Sequence, residues 1–262
     1  MNKIPSVIYQ TWHTNISEVN EKIRETINKM RELNPTYEYK FFNDDDMNSF
    51  VLENFNGDIV ECYNRLNHKA AKTDFWRYLI LYKHGGVYID IDATTTVPLN
   101  TLIQENDDAI LSVETVGTLK NPLEKIDRSK FFDITTQKNN FINWGMMFSK
   151  EHPILKKTIE FVIHNVKTGL YHDDVFNITG PPVLTRAVQY IHLKTYNHAI
   201  DIYELEKDYK DYDYSFSFNN FSYRIYGFNY NDLIIHKYEN YYLLHEIIPS
   251  CWQRRPDSPS IL

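Results

Sequence analysis

Residues 70–92 read AAKTDFWRYLILYKHGGVYIDID and combine the strongest helix signal of the chain with an apolar strand. Gly85 stands where a helix needs a left-handed C-terminal cap, and Gly86 begins the strand GVYIDI. A strand that directly follows a helix in this way is the repeating step of α/β proteins. The stretch ends on Asp90 and Asp92, which are separated by a single residue.

The segments before this stretch extend the same alternation. Residues 4–12, IPSVIYQTW, and residues 36–43, TYEYKFFN, predict strands. The segment between them predicts a helix that Ser17 caps and that ends before Pro35. The acidic run Asp44–Asp46 predicts the start of another helix, because carboxylates in a first helical turn suit the macrodipole.

The segments after this stretch continue the pattern. Residues 109–114 and 143–149 predict strands, and residues 152–169 and 181–194 predict helices. The tyrosine-rich last third is strand-like, with a loop expected at residues 208–220. We predict an α/β fold in one domain that spans residues 1–262.

Composition limits the class of function. The chain has 262 residues, of which 42% are hydrophobic, and its net charge of −7 argues against general binding to nucleic acid or to anionic membranes. Cys62 and Cys251 form no CxxC pair, so we expect two free thiols in a reducing compartment. The N-terminal residues lack a signal-peptide hydrophobic region and no stretch has transmembrane length, so we expect a cytoplasmic protein without a membrane span.

The aspartate pair is the first candidate for chemistry. Side chains alternate along a strand, so we expect Ile89 and Ile91 in the core and Asp90 and Asp92 together on the opposite face. Two ionised carboxylates on one face repel each other unless a cation, a proton or solvent lies between them. Mn²⁺ and Mg²⁺ prefer such ligands and share them with substrate phosphates. We predict a metal that holds a diphosphate, and the alternative is two solvated aspartates at a strand end.

The helix before the strand offers a second candidate. Asp74 and Arg77 are three residues apart and therefore share a helix face, and Ala70 and Ala71 leave room for a ligand on the preceding turn. In one interpretation Asp74 accepts hydrogen bonds from ribose hydroxyls and Arg77 balances phosphate or sugar oxygens. In the other they form only an intrahelical ion pair. The chain contains neither GxGxxG nor GxxxxGK[ST], so no dinucleotide fingerprint or P-loop is indicated.

Five segments of the chain follow the order of motifs known from one family. They are IPSVIYQTW (4–12), AAKTDFWRYLILYKHGGVYIDID (70–92), FINWGMMFSKEHPIL (141–155), ITGPPVLTRAV (178–188) and HEIIPSCW (245–252). Together they resemble the DxD-containing glycosyltransferases with a sugar-binding-region motif, which include initiating α-1,6-mannosyltransferases, α-1,4-glycosyltransferases and, more remotely, the large clostridial toxin glucosyltransferases. Tyr9 stands where the family usually has His, and Cys251 separates Ser250 from Trp252, which are adjacent in many members.

The resemblance implies a GT-A-type nucleotide-sugar-binding fold with a mixed central sheet flanked by helices. It implies a UDP- or GDP-sugar donor, a glycan or protein hydroxyl as acceptor, a Mn²⁺ or Mg²⁺ ion and retention of anomeric configuration. By matching position, the donor-binding residues would be Thr11, Trp12, Asp74, Arg77, Tyr88, Asp90, Ser250 and Trp252. The metal ligands would be Asp90, Asp92 and His245, with Glu246 as the alternative to His245. The catalytic set would be Asp90, Asp92 and Arg77, because the metal and the guanidinium stabilise charge on the leaving diphosphate.

Two other classes of function are compatible with the same residues. A glycoside hydrolase uses two carboxylates as acid and base, but it needs them on opposite sides of the scissile bond. A neighbouring pair on one strand face suits that geometry poorly. A non-catalytic module that binds a nucleotide sugar or a glycan would keep the binding residues and would show no turnover.

Overall fold

The computed structural model describes residues 3–115, 139–172, 174–200 and 214–226. Its strands are β1 (Val7–Thr11), β2 (Glu38–Phe42), β3 (Gly86–Ile89), β4 (Ala109–Thr115), β5 (Asn139–Phe141), β6 (Gly145–Phe148), β7 (Tyr214–Phe218) and β8 (Phe221–Tyr226). Its helices are α1 (Glu21–Leu33), α2 (Asp44–Asn54), α3 (Asp58–Arg65), α4 (Lys69–His84), α5 (Leu99–Leu102), α6 (Pro153–Thr168), α7 (Val175–Ile178) and α8 (Pro181–Tyr196). The predicted alternation of strands and helices is confirmed.

The strands of the described residues form one mixed sheet in the order β2-β1-β3-β6-β4-β8-β7, and β5 pairs with β4. The pairs β1–β2, β1–β3 and β4–β8 are parallel, whereas β3–β6, β4–β6, β4–β5 and β7–β8 are antiparallel. Because β1, β2 and β3 are parallel, their carboxyl ends meet at one edge, which is where ligands bind in open α/β sheets. The predicted fold class, with a mixed central sheet flanked by helices, is confirmed.

The sheet is packed on both faces. Tyr88 of β3 belongs to a core cluster with Trp76 of α4 and Leu155 of α6. Val87 and Ile89, its neighbours along the strand, belong to a second cluster that contains side chains of α1 and α5. This alternation is the normal pleat of a buried strand, so residue 88 faces the same side of the sheet as α4.

Two glycines allow α4 to pass directly into β3. Gly85 ends the helix, and its N–H donates to Leu81 O at 2.8 Å. It has the expected positive φ of 67°, but its ψ of −172° differs from the left-handed helical conformation that was predicted. A side chain here would be both strained and obstructed, because a Cβ atom would lie 2.8 Å from Lys150 N and from Pro5 Cδ. Gly86 follows with φ 110°. This tight junction fixes where β3 begins relative to α4.

The two predicted helix starts had different outcomes. α2 begins as expected at the acidic run, where Asn43 accepts from Asp46 N and the Asp46 carboxylate accepts from Asn43 N in a capping box. The prediction that Ser17 caps α1 is wrong, because Asn20 is the N-cap and accepts from Ile23 N at 2.9 Å. Ser17 lies instead in a short 3₁₀ turn before the helix. Both residue types are good caps, and the local sequence did not decide between them.

The loop predicted at residues 208–220 is wrong in its second half. Strand β7 and the turn at Asn219 and Asn220, both with positive φ, form a hairpin with β8. The sequence YSFSF of β7 alternates aromatic and serine residues, and this two-residue period is the strand signal that was overlooked. Phe216 stacks on Tyr223 with ring centroids 5.1 Å apart, which holds the hairpin together on that side.

His152, from the motif segment 141–155, has a structural role. Its Nδ1 accepts from Ile154 N at 3.2 Å as the N-cap of α6, and its Nε2 donates to Ser222 O at 3.2 Å. Burial lowers the pKa of His152 to about 4, so the ring is neutral and connects α6 to β8.

Among the residues that the structure describes, no helix has the length and apolar character needed to cross a bilayer.

Candidate active site

The two aspartates lie in a β-turn and not in a strand. β3 ends at Ile89, and Ala93 N donates to Asp90 O at 2.9 Å, which closes a turn from residue 90 to residue 93. The expectation that strand alternation places Asp90 and Asp92 on one face is therefore wrong. Ile91 is buried as predicted, but it packs in a third cluster with side chains of α1 and not with Ile89. The turn changes the direction of the chain at the carboxyl end of β3.

The Asp90 carboxylate is held by two side chains of the site. Its Oδ1 accepts from the Tyr88 hydroxyl at 2.7 Å and lies 3.1 Å from Arg77 Nη2. Burial raises the pKa of Tyr88 well above its ordinary value, so the phenol remains protonated and donates this bond. The side chain of Asp90 keeps 16% of its surface exposed, which leaves it within reach of a ligand.

Arg77 lies at the centre of the site. Its guanidinium donates to Asn143 O at 3.0 Å, lies 3.4 Å from Asp74 Oδ1 and covers the Tyr88 ring with its Cζ atom 4.6 Å from the centroid. Burial alone lowers the pKa of Arg77, but the nearby carboxylates of Asp90 and Asp74 outweigh this effect and hold the pKa above its ordinary value. Arg77 Nε is buried and has no hydrogen-bond acceptor within the part of the chain that the structure describes.

Asp74 is completely buried at the base of the site. Its Oδ1 accepts from Asn143 Nδ2 at 3.0 Å and its Oδ2 accepts from Thr179 Oγ1 at 3.1 Å. The Tyr78 hydroxyl accepts from the same Asn143 amide at 3.1 Å and donates to Thr179 O at 2.9 Å. The sequence interpretation did not include Asn143, Thr179 or Tyr78 among the site residues. Their only sequence signal was their place in or next to the motif segments.

Asp74→Asn is expected to make the metal-free protein more stable relative to the wild type as the pH rises. Burial raises the pKa of Asp74 from 3.8 to about 6, an effect that Arg77 opposes. A raised folded-state pKa gives stability that is present below pH 4 and lost as the pH rises through 6. The difference in the free energy of unfolding between the variant and the wild type should therefore increase by up to about 3 kcal/mol between pH 4 and pH 7.

Urea unfolding of both proteins in the presence of a chelator, at half-unit steps of pH, measures this difference in unfolding free energy directly. Titrations of groups that do not interact with residue 74 cancel in the difference, which therefore reports on Asp74 and the groups coupled to it. A difference in unfolding free energy that stays constant from pH 4 to pH 7 would show that the pKa of Asp74 is not raised in the folded protein.

Thr11 and Trp12 lie at the carboxyl end of β1, beside the turn. Thr11 is buried and its hydroxyl donates to Met47 Sδ at 3.3 Å. Trp12 is half-buried and packs against the cluster that contains Ile91, with its ring 4.7 Å from that of His13. These two residues therefore lie on the same edge of the sheet as the aspartate turn.

Apart from Thr11 and Trp12, the predicted site residues fall into three groups. Asp74, Arg77, Tyr88 and Asp90 are in direct contact, as described above. Asp92 is 5% exposed and lies two positions after Asp90 in the turn. The predicted residues His245, Glu246, Ser250 and Trp252, with Cys251, lie outside the described residues. Cys62 is a buried free thiol whose pKa is raised by burial, and it lies in α3, away from this edge.

The donor set of the turn fits a hard divalent cation. Mg²⁺ and Mn²⁺ are commonly held by one or two carboxylates together with substrate phosphates. Asp90 and Asp92 supply such carboxylates at an edge of the sheet where ligands bind. Among residues 3–115, 139–172, 174–200 and 214–226, no group of three or more His, Cys, Asp or Glu side chains gathers in a geometry suited to a metal.

Comparison with known proteins agrees with this site. Residues 20–108 match the family described as a glycosyltransferase sugar-binding region containing a DXD motif. A putative glycosyltransferase of Saccharomyces cerevisiae is 30% identical over 178 residues, which are 67% of this chain and 43% of that protein. An initiation-specific α-1,6-mannosyltransferase of Candida albicans is 24% identical over 200 residues, which are 70% of this chain and 52% of that protein.

A third relative and one solved structure extend the comparison. An inositol phosphoceramide mannosyltransferase of Schizosaccharomyces pombe is 34% identical over 100 residues, which are 38% of this chain and 27% of that protein. The solved PaToxG glycosyltransferase superposes with a TM-score of 0.53 at 20% identity, covering 73% of this chain and 72% of that one, and this likeness concerns the fold alone. The chain spans about half the length of the first two curated relatives. The resemblance to DxD-containing glycosyltransferases is confirmed.

Proposed function

We propose that this chain, whose residues 20–108 carry the sugar-binding region of the DxD glycosyltransferases, transfers a sugar from a nucleotide-sugar donor to a hydroxyl of a glycan or protein. We further propose that the reaction requires Mn²⁺ or Mg²⁺ and retains the configuration of the sugar. The observation that carries the proposal is the contact of Arg77 with both Asp74 and Asp90, next to the aspartate turn. Mannose is the first sugar to test, because two of the relatives described above are named mannosyltransferases.

Arg77 is the residue best placed to act on the donor. Asp74, Asp90 and Asn143 O fix the guanidinium, so it does not need to reorganise when charge develops on the leaving diphosphate. Its Nε is the donor that we assign to a phosphate or sugar oxygen. A cation that is already in place before the reaction stabilises the transition state more effectively than one that must first lose water.

Asp90 and Asp92 are the residues that we assign to the metal. A divalent ion bound there would neutralise part of the diphosphate charge and so make it a better leaving group. Tyr88 and Arg77 occupy Oδ1 of Asp90, which orients the carboxylate before any ion binds. We assign the predicted donor contacts of Thr11 and Trp12 to the nucleotide, because both lie beside this turn.

A panel of UDP- and GDP-sugars tests the proposal. The protein is incubated with each donor and Mn²⁺, with and without a glycan acceptor, and release of free nucleoside diphosphate is measured. Release that depends on both metal and acceptor is the expected result for a transferase. Donor binding without any release would favour a non-catalytic module, and cleavage of an unactivated glycoside in the presence of EDTA would favour a glycoside hydrolase.

The geometry already disfavours the hydrolase among these alternatives. An acid and a base must flank the scissile bond, with carboxyl groups at least about 5 Å apart on opposite sides of the sugar. Asp90 and Asp92 belong to one four-residue turn, and Asp90 is already bound to Arg77 and Tyr88.

A further inference from the structure

We infer that Gln10 is a positioning residue that fixes the Asp90–Ala93 turn for metal binding. The inference rests on the proposed metal-dependent transfer and adds a residue that the sequence interpretation did not include. Gln10 lies in β1, is completely buried and donates from Nε2 to the main-chain oxygen of Asp90 at 3.1 Å. A buried side-chain amide that bonds to the backbone of a neighbouring turn restrains that turn directly.

A hydrogen bond from Tyr39 stabilises the orientation of the Gln10 amide. The Tyr39 hydroxyl donates to Gln10 Oε1 at 2.9 Å. Burial raises the pKa of Tyr39, although Arg31 opposes this, so the phenol keeps its proton and acts as the donor. The Asp90 main-chain oxygen only accepts hydrogen bonds and therefore requires the amide nitrogen, and the bond from Tyr39 to Oε1 holds the amide in that orientation. Tyr39 of strand β2 thus helps to hold the Gln10 side chain of β1 in the position from which it bonds to the turn.

The backbone of Asp90 is held by hydrogen bonds at both its N–H and its carbonyl oxygen. Its N–H donates to Trp144 O at 2.8 Å, and its oxygen accepts from Gln10 Nε2 and from Ala93 N. The Ala93 bond belongs to the turn itself, whereas the Gln10 and Trp144 bonds tie Asp90 to other parts of the sheet. Asp92 follows two residues later, and its position depends on the same peptide.

Metal affinity depends on how well the ligands are held before the ion arrives. Groups that orient metal ligands without touching the metal typically contribute 10- to 100-fold in affinity. Loss of the Gln10 bond removes a restraint on Asp90 O that comes from outside the turn and gives the peptide more freedom to rotate. We therefore expect Gln10→Met, which keeps the length of the side chain and removes both polar atoms, to weaken Mn²⁺ binding about 10-fold.

Mn²⁺ affinity, measured by electron paramagnetic resonance of the free ion in the presence of UDP and of GDP, tests the inference independently of activity. Tyr39→Phe should weaken binding less than Gln10→Met, because the amide then loses the bond that restrains it but keeps its donor to Asp90 O. The double variant should bind Mn²⁺ no more weakly than Gln10→Met alone. This non-additivity is expected only if Tyr39 acts through Gln10.

Gln189 provides a matched control for the loss of a buried amide. It is also completely buried, and its side chain makes two bonds to the Ile200 backbone at 2.8 Å in a part of the fold away from the turn. Gln189→Met should lower the melting temperature by an amount similar to Gln10→Met and should leave Mn²⁺ affinity unchanged. A merely structural role of Gln10 would make the two variants alike in both measurements.

The outcomes separate this inference from the proposed function. If the wild type binds no Mn²⁺ with either nucleotide, the proposed metal dependence fails and the inference falls with it. If the wild type binds Mn²⁺ and Gln10→Met binds it equally well, the inference alone is overturned. If Gln10→Met fails to fold, Tyr39→Phe is the deciding variant. A Mn²⁺ affinity of Tyr39→Phe equal to that of the wild type would then overturn the inference.

Discussion

Asp92→Asn is expected to lower the rate of sugar transfer about 1,000-fold while the protein stays folded. The substitution keeps the size of the side chain and removes the charge that we assign to the metal. Asp92 lies in the turn after β3, at 5% exposure, so the amide occupies the same space. The measurements are kcat/KM with the best donor of the panel, Mn²⁺ affinity and the melting temperature.

Asp107→Asn is the matched control for this variant. Asp107 is also buried, at 4% exposure, and it pairs with Arg224 at the start of β4, remote from the aspartate turn. Its replacement should cost stability, because Arg224 then keeps a buried charge without that carboxylate, and should leave Mn²⁺ affinity unchanged. Unchanged turnover of Asp92→Asn, or full activity of the wild type in excess chelator, would rule out the metal role.

The sequence predicted those parts of the fold that depend on local signals. The passage from α4 through Gly85 into β3 was predicted because a helix pattern, a positive-φ glycine and a β-branched strand are all readable from neighbouring residues. The aspartate turn was mistaken for strand because GVYIDI has the composition of a strand throughout. Beyond Ile89, the position of the turn depends on contacts of the Asp90 backbone with Trp144 O and with the Gln10 side chain. Those contacts are distant in sequence, and a local pattern does not reveal them.

In the candidate site, too, the features that are local in sequence were predicted and the contacts between distant residues were not. Asp74 and Arg77 were predicted to act together because their spacing in α4 places them on one helix face. Their partners were not predicted, since Asn143 and Thr179 follow Asp74 by 69 and 105 positions. The motif resemblance pointed to the right segments, but only the fold shows that the Asn143 amide holds Asp74 and that its carbonyl oxygen holds Arg77. Both alternatives for the Asp74–Arg77 pair predict a contact between them, so the contact alone does not separate a structural ion pair from a donor site.

The variant Arg77→Lys distinguishes a structural ion pair from a donor-binding role of Arg77. Lysine keeps the charge, but a single ammonium group lacks the planar fork that reaches Asp74, Asp90 and Asn143 O together. It also has no counterpart of Nε, the donor that we assign to the ligand. We expect kcat/KM for the nucleotide-sugar donor to fall about 100-fold, with a stability loss well below that of Arg77→Ala. Arg77→Ala leaves Asp74 and Asp90 without their cation, which costs about 3–5 kcal/mol when a buried pair is broken.

Arg224→Lys is the control that separates donor binding from the effect of shortening a buried arginine. Arg224 is 4% exposed, pairs with Asp107 and donates to Leu102 O at 2.6 Å, so it resembles Arg77 in burial and in partners. Its replacement by lysine should lower the melting temperature and leave the donor affinity and kcat unchanged. In Arg77→Lys, by contrast, kcat and donor affinity should fall by far more than the change in melting temperature accounts for. If both lysine variants lose stability alike and neither changes donor affinity or rate, then Arg77 and Asp74 are an intrahelical ion pair that supports the fold, and the assignment of Arg77 to the donor is wrong.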